Sequence, residues 1–122
     1  DVRQLQLVKG SIAAATAMLL DSAGLALDDI GEFLVAGAFG NYIRKSSAQL
    51  VGLLPDIDPE RVRFVGHSAG VGARMLLLDA RARERAARVA ATAEFIDLAG
   101  RADYEDRFMD ALRFPEMAMA AV

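Results

Sequence analysis

Apolar residues at the start of the chain recur at helical intervals: Leu5, Val8, Ile12, Ala15 and Leu19 fall on one stripe. Beside it runs a row of small residues, Gly10, Ala13, Ala14 and Ala17, against which another backbone can pack closely. Asp1 followed by Gln4 has the spacing of a capping box. Gly24, after Ser22-Ala23, is a natural stop. The pattern predicts a leading helix with the stripe as its buried face. Leu25 to Gly31 is a connector in which Asp28-Asp29 makes a turn or a cap.

The pattern then changes to short apolar runs bounded by glycine. Glu32–Ala36 reads as a buried strand that runs into Gly37-Ala38-Phe39-Gly40-Asn41. Ser46-Ser47 starts a short helix through Leu50, Val51 to Pro55 ends it, and Asp56 to Glu60 is a loop. Arg61 to Val65 alternates polar and apolar and reads as a second strand. It too meets a glycine-rich turn, Gly66-His67-Ser68-Ala69-Gly70-Val71-Gly72-Ala73, with Ser68 as a plausible N-cap. Met75, Leu76, Leu77 and Leu78 continue as a mostly buried helix. Gly70 and Gly72 each cost that helix about 1 kcal/mol against alanine. Such a cost is tolerated where a helix must lie close to another backbone or to a flat ligand.

From Asp79 the next helix is amphipathic, with Ala82, Ala86, Val89 and Ala93 on one side and Arg81, Glu84, Arg85 and Arg88 on the other. Glu84 and Arg88 form a favourable i,i+4 pair. The arginine face reads first as solvent cover and second as a dock for an acidic partner. Glu94 to Leu98 alternates like a short edge strand. Asp103 caps a last helix whose Tyr104, Phe108, Ala111 and Leu112 share a face, Phe114-Pro115 stops it, and residues 116–122 read as a poorly ordered tail.

Two strand–glycine–helix units behind a leading helix make an α/β arrangement with parallel strands. Two or three strands are few for a parallel sheet, which is normally buried on both faces. The expectation is a partial domain that belongs to a larger one or assembles with another copy. The glycine loop at Gly37–Gly40 is the first candidate site. Glycine lets backbone approach a ligand closely, and a helix beginning beyond it would aim free N–H groups at an anion or nucleotide. A tight turn with no ligand is the plainer reading of the same residues. Lys9 lies near the small-residue row, where its amine either runs out to solvent along its stem or reaches a phosphate or ribose.

Composition narrows the classes. The 122 residues are one domain's worth, and 54% hydrophobic content supports a core. A net charge of −3 gives no reason to expect nucleic acid. No apolar run reaches the roughly 18 residues of a membrane span, and the start lacks a signal-peptide pattern, so the cytoplasm is the expected compartment. Without cysteine there is no disulfide, no thiolate and no iron–sulfur ligation here, and one histidine makes an all-protein transition-metal site improbable.

The segments Asp1 to Gly10, Ala36-Gly37-Ala38-Phe39-Gly40-Asn41-Tyr42-Ile43, Gly52-Leu53-Leu54-Pro55, Val65 to Ala73 and Phe114-Pro115 resemble one family along nearly the whole chain. The chain looks like the C-terminal end of the ATP-dependent reductive activators of corrinoid proteins. The resemblance implies a parent protein with an N-terminal [2Fe–2S] ferredoxin domain and a C-terminal ATPase of the actin, sugar-kinase and Hsp70 type. Such proteins return cob(II)alamin in a corrinoid methyl-carrier protein to cob(I)alamin, with ATP and Mg²⁺ in the full domain. This chain would be the back half of a ribonuclease-H-like (actin-like ATPase) domain, lacking the preceding strands with their phosphate loop. On the resemblance, Gly37, Ala38, Phe39, Gly40 and Asn41 match the adenosine motif, and Gly66 to Gly72 match the second connecting motif at the hinge, with Gly66, His67 and Gly70 as its candidate site residues. His67 stands where the family usually has asparagine. No residue matches a catalytic or metal-binding role, so the segment alone is expected not to hydrolyse ATP. A non-catalytic module that docks a corrinoid protein or a second copy of itself is the alternative.

Overall fold

Two parallel strands, β1 (Phe33–Ala36) and β2 (Val62–Gly66), organise the middle of the chain in the computed structural model, which describes residues 1–38, 42–98 and 100–115. Phe33 pairs with Val62, Leu34 with Arg63 and Val35 with Phe64, after which the register slips by one so that Ala36 meets Gly66. The extra residue, Val65, is a bulge of the kind that re-aims the end of a strand. One face of the pair carries Phe33, Val35, Val62 and Phe64 into a core with Ala48, Leu54 and Ile57. On the other face Leu34 stays exposed.

The elements around this pair are α1 (Val2–Ala23), α2 (Lys45–Leu50), α3 (Ser68–Leu78), α4 (Ala80–Thr92) and α5 (Tyr104–Ala111). The expected α/β arrangement, few parallel strands flanked by helices, is what the chain forms. α1 begins where the Asp1 carboxylate accepts the Arg3 N–H and ends at Gly24, whose φ of +66° is left-handed. Glycine takes that conformation without a Cβ clash. Leu27–Asp29 forms one 3₁₀ turn, with the Asp29 carboxylate accepting the Ala26 N–H. Beyond α2, the Gln49 amide donates to the carbonyls of Pro55 and Ile57 and ties the loop down.

Several expectations are corrected. The stripe on α1 is not its most buried face. Lys9, Gly10, Ala14 and Met18 are buried, while Val8 is 49% exposed, Ile12 36% and Leu19 45%. The reason is the small-residue row, which admits α5. A Cβ at Gly10 would stand 3.0 Å from Leu112 Cδ2 and 3.3 Å from Phe108 Cε2. Helix α3, expected to be mostly buried, has no buried residue, and Leu77 and Leu78 lie open. Helix α4 buries Ala82. Glu94–Leu98 forms no strand, since Phe95 projects into solvent and the run has no ladder partner. Asp103 occupies the N-cap position of α5 without a side-chain cap bond, because its carboxylate pairs with Arg101 and Arg107 instead. The expected tail at residues 116–122 lies outside the described residues. Among the described residues, no helix is long and apolar enough to cross a membrane.

Two glycines test this packing in opposite directions. Gly10→Val overpacks the α1–α5 contact and is expected to cost about 1–3 kcal/mol. Gly72→Ala, where an added Cβ meets nothing within 4 Å among the described residues, should instead gain about 0.5–1 kcal/mol from helix propensity. Urea unfolding followed by circular dichroism measures both. The hydrogen bond from Arg101, with both arginine charges, holds the Asp103 carboxyl below its ordinary pKa of 3.8. A depressed folded-state pKa means that Asp103 adds stability above 3.8, and that this contribution is lost as pH falls through the lowered value. Unfolding midpoints across that acid range should therefore fall less steeply for Asp103→Asn than for the wild type.

Candidate functional site

The two glycine turns meet at one place. Because β1 and β2 are parallel, both strands deliver their carboxyl ends to the same side of the sheet. The Gly37 N–H donates to the Gly66 carbonyl at 2.7 Å, extending the ladder by one bond beyond the strands. Gly37 has φ +100° and Gly66 φ +64°, conformations that a side chain resists. A Cβ built on either would meet nothing within 4 Å among the described residues. The two backbones thus form an open, side-chain-free ledge, the kind of place where open α/β sheets receive ligands.

His67 follows directly and is the N-cap of α3, correcting the expectation of Ser68. Its Nδ1 accepts the Gly70 N–H at 3.1 Å, the bond that a serine or asparagine oxygen makes at the third helical amide. The same contact accounts for Gly70. A Cβ there would stand 2.8 Å from Nδ1, so the flat group that this glycine admits is the imidazole of its own chain. With Nδ1 accepting, Nε2 is the nitrogen left to donate outward, and His67 is exposed.

The structure therefore brings together Gly37, Ala38, Gly66, His67 and Gly70. Phe39, Gly40 and Asn41, the remainder of the expected adenosine motif, lie outside the described residues. Lys9 is committed elsewhere, and its solvent-facing reading is corrected. It is 2% exposed, and its Nζ donates to the Ala111 carbonyl at 2.6 Å and to the Arg113 carbonyl. Burial lowers its pKa by desolvating the ammonium group.

An apolar groove of about 450 Å³ runs from the foot of the ledge at Ala36 between α1 and the core face of the sheet. Leu5, Val8 and Ile12 form one wall and Val35, Ile43 and Phe64 are among the residues of the other. The helical stripe was the sequence signal for this groove, read there as a filled contact. Glu32 and Arg63 make an exposed ion pair at 2.8 Å, and the hydrogen bond from that pair raises the arginine's pKa. An exposed pair of this kind adds little.

The residues fit some groups and not others. The ledge offers open backbone at strand ends, which suits close approach by a nucleotide. Among the described residues no group of three or more His, Cys, Asp or Glu side chains is placed to hold a metal ion. The chain has no cysteine, so its residues do not fit a [2Fe–2S] cluster.

Local strain and capping can be separated by substitution. Gly66→Ala should cost about 1–2 kcal/mol from its left-handed φ alone. His67→Ala should cost about 1 kcal/mol through the lost cap, whereas His67→Asn should stay within a few tenths of the wild type. Unfolding midpoints in urea decide both.

Comparison with known proteins adds the context. The sequence matches, over residues 1–122, the family described as the C-terminal domain of RACo, the ASKHA domain. A relative named corrinoid activation enzyme RamQ, from Eubacterium limosum, is 45% identical over 78 residues, which are 64% of this chain and 13% of that protein. A solved structure, a reductive activator for corrinoid, iron-sulfur protein, superposes with a TM-score of 0.86 at 32% identity, over 93% of this chain and 18% of that one. The chain thus spans less than a fifth of either relative's length. Matched along its whole length, the chain belongs to the family of C-terminal ASKHA domains of RACo.

Proposed function

We propose that this chain is the closing segment of an actin-like ATPase domain, and that it supplies the adenosine-side wall of a nucleotide site in a corrinoid activator. The observation that carries the reading is the ledge. Two glycines with positive φ lie hydrogen-bonded side by side at the carboxyl ends of parallel strands, and no described residue lies within 4 Å of a Cβ built on either. In this reading Gly37, Ala38, Gly66 and His67 lie along the nucleotide, joined by Phe39, Gly40 and Asn41. Lys9 is left out of the set, since its donors are engaged by two backbone carbonyls.

The ATP bound by the complete domain would supply the driving force for returning cob(II)alamin to cob(I)alamin, with electrons from a [2Fe–2S] cluster in another domain. The names of the relatives support corrinoid activation as the setting. What this chain's residues contribute is backbone shape. Phosphoryl transfer needs a metal-held phosphate clamp, which would come, with Mg²⁺, from the rest of the domain.

A second reading rests on a separate observation. Helix α3 exposes Val71, Met75 and Leu78 beside Arg74, and α4 follows with Arg81, Arg85 and Arg88 also exposed. This surface could dock a corrinoid methyl-carrier protein or a second copy.

Amide chemical shifts of the chain titrated with Mg-ADP test the first reading. Perturbations should gather at Gly37, Ala38, Gly66 and His67. In the longer parent protein, Gly37→Val should weaken nucleotide binding tenfold or more. Unchanged affinity in that variant, or ATP turnover by the isolated 122-residue chain, would sink the proposal. The docking reading requires the chain to form a complex with the carrier protein at low salt that charge reversal at Arg81 and Arg85 abolishes.

A further inference from the structure

The C-terminal end of α5 is held by side chains of another helix. α5 has eight residues, too short to persist unaided. Met109 O and Asp110 O accept the N–H groups of Leu112 and Arg113, and the next three carbonyls, that of Ala111 at the helix end and those of Leu112 and Arg113 just beyond it, are taken up by α1. Lys9 Nζ donates to Ala111 O and Arg113 O, and Gln6 Nε2 donates to Leu112 O at 3.2 Å. The ammonium group also lies over the Phe114 ring, 5.3 Å from its centre, an arrangement favourable to a cation. It further reaches the turn after α2, since a Cβ on Gly52 would stand 3.6 Å from Nζ and 3.1 Å from Pro115 Cγ. Gly52 has φ +74°, so that turn receives the C-terminal segment through a residue with no side chain. At its other end α5 is tied by ordinary surface contacts, Arg107 to Asp21 at 2.7 Å and Arg101 to Ser22 at 2.9 Å.

We propose that Lys9, seconded by Gln6, is a clasp: it caps α5 from outside and seats Arg113–Pro115 against the Gly52 turn, so that α5 and this strap open and close on α1 as one unit. The placement of the donors distinguishes this from ordinary core packing. An apolar side chain of the same length would fill the space and leave the carbonyls of Ala111 and Arg113 without donors. Leu53 and Leu54, which follow Gly52, wall the apolar groove below the glycine ledge. The closed strap therefore sets one side of that groove. This inference stands on geometry that does not involve the nucleotide reading.

Native-state hydrogen exchange on the 122-residue chain tests it. Lys9→Met should speed exchange tenfold or more at the amides of 107–113, while those of Val35 and Phe64 in the sheet change less than threefold. A rise of equal size in α5 and the sheet, or none in α5, would overturn the clasp. Rescue provides a readout that lost packing would not give. The chain has no cysteine, so the thiol of a Lys9→Cys variant can be aminoethylated to restore an amine of nearly lysine length. That product should recover slow exchange in α5, and the carbamidomethylated control should not; equal behaviour of the two would refute the role of the amine. If position 9 tolerates no change, Gln6→Ala and Phe114→Ala weaken the clasp from either side. Each must loosen α5 in preference to the sheet, or the proposal fails.

Discussion

The parallel pairing of β1 with β2 is the constraint on which the rest of the structure depends. Antiparallel neighbours can be joined by a tight hairpin, but parallel neighbours require the chain to cross over between them. Here the crossover runs through α2 and the 51–61 loop, which bring Ala48, Leu54 and Ile57 onto the sheet's inner face. The same parallelism sends both strand ends to one side. It is therefore the reason that two glycine turns separated by more than twenty residues in sequence share one hydrogen bond, Gly37 N–H to Gly66 O. A slip of register would break the ledge. The bulge at Val65 is what brings Gly66, rather than a side-chain-bearing residue, opposite Ala36.

Around the ledge the geometry is made by backbone and by one imidazole. His67 does the work of a cap residue through Nδ1, and Gly70 makes room for the ring. An asparagine at the same place would satisfy the same amide with less bulk. The exchange therefore preserves the start of α3 while changing what projects from it. Gly72 has no such local explanation. Its Cβ position is open, so whatever close approach it permits is to something other than the described residues of this chain.

Most of the element order was legible from periodicity, and the two glycine turns were legible as turns because positive φ is written in residue type. What was not legible was which of two helix faces would be covered. The α1 stripe of Leu5, Val8, Ile12 and Leu19 and the row of Gly10, Ala13, Ala14 and Ala17 both have helical spacing. The choice between them depended on α5, nearly a hundred residues away. The same limit hid the partner of Lys9. A lysine beside small residues looks misplaced until a helix end with unpaired carbonyls arrives over it. The Glu94–Leu98 alternation failed for the complementary reason, because a strand needs a ladder and none is beside it. Exposure of α3 was likewise invisible, since four consecutive apolar residues report a preference for burial but not the presence of a cover.

These open surfaces are not scattered. The α1 stripe and the outer face of the strands at Leu34 border the two-stranded sheet, and the α3 residues Val71, Met75 and Leu78 belong to the helix that leaves the end of β2. A parallel sheet is stable when both faces and both edges are provided for. Here the inner face is half provided for, by α2 and the loop after it. The close-packed contacts, by contrast, are those between α1 and α5 and within the Gly52 turn, where glycine and a buried lysine let chain segments meet at van der Waals distance. Stability in this chain is therefore expected to be divided. The α1–α5 unit is closed by its own contacts, while the sheet carries the glycine ledge and depends on cover that the described residues supply on one side only. In relatives of which this chain covers 13% and 18%, that division would leave the ledge most sensitive to what docks on it and the C-terminal clasp least so.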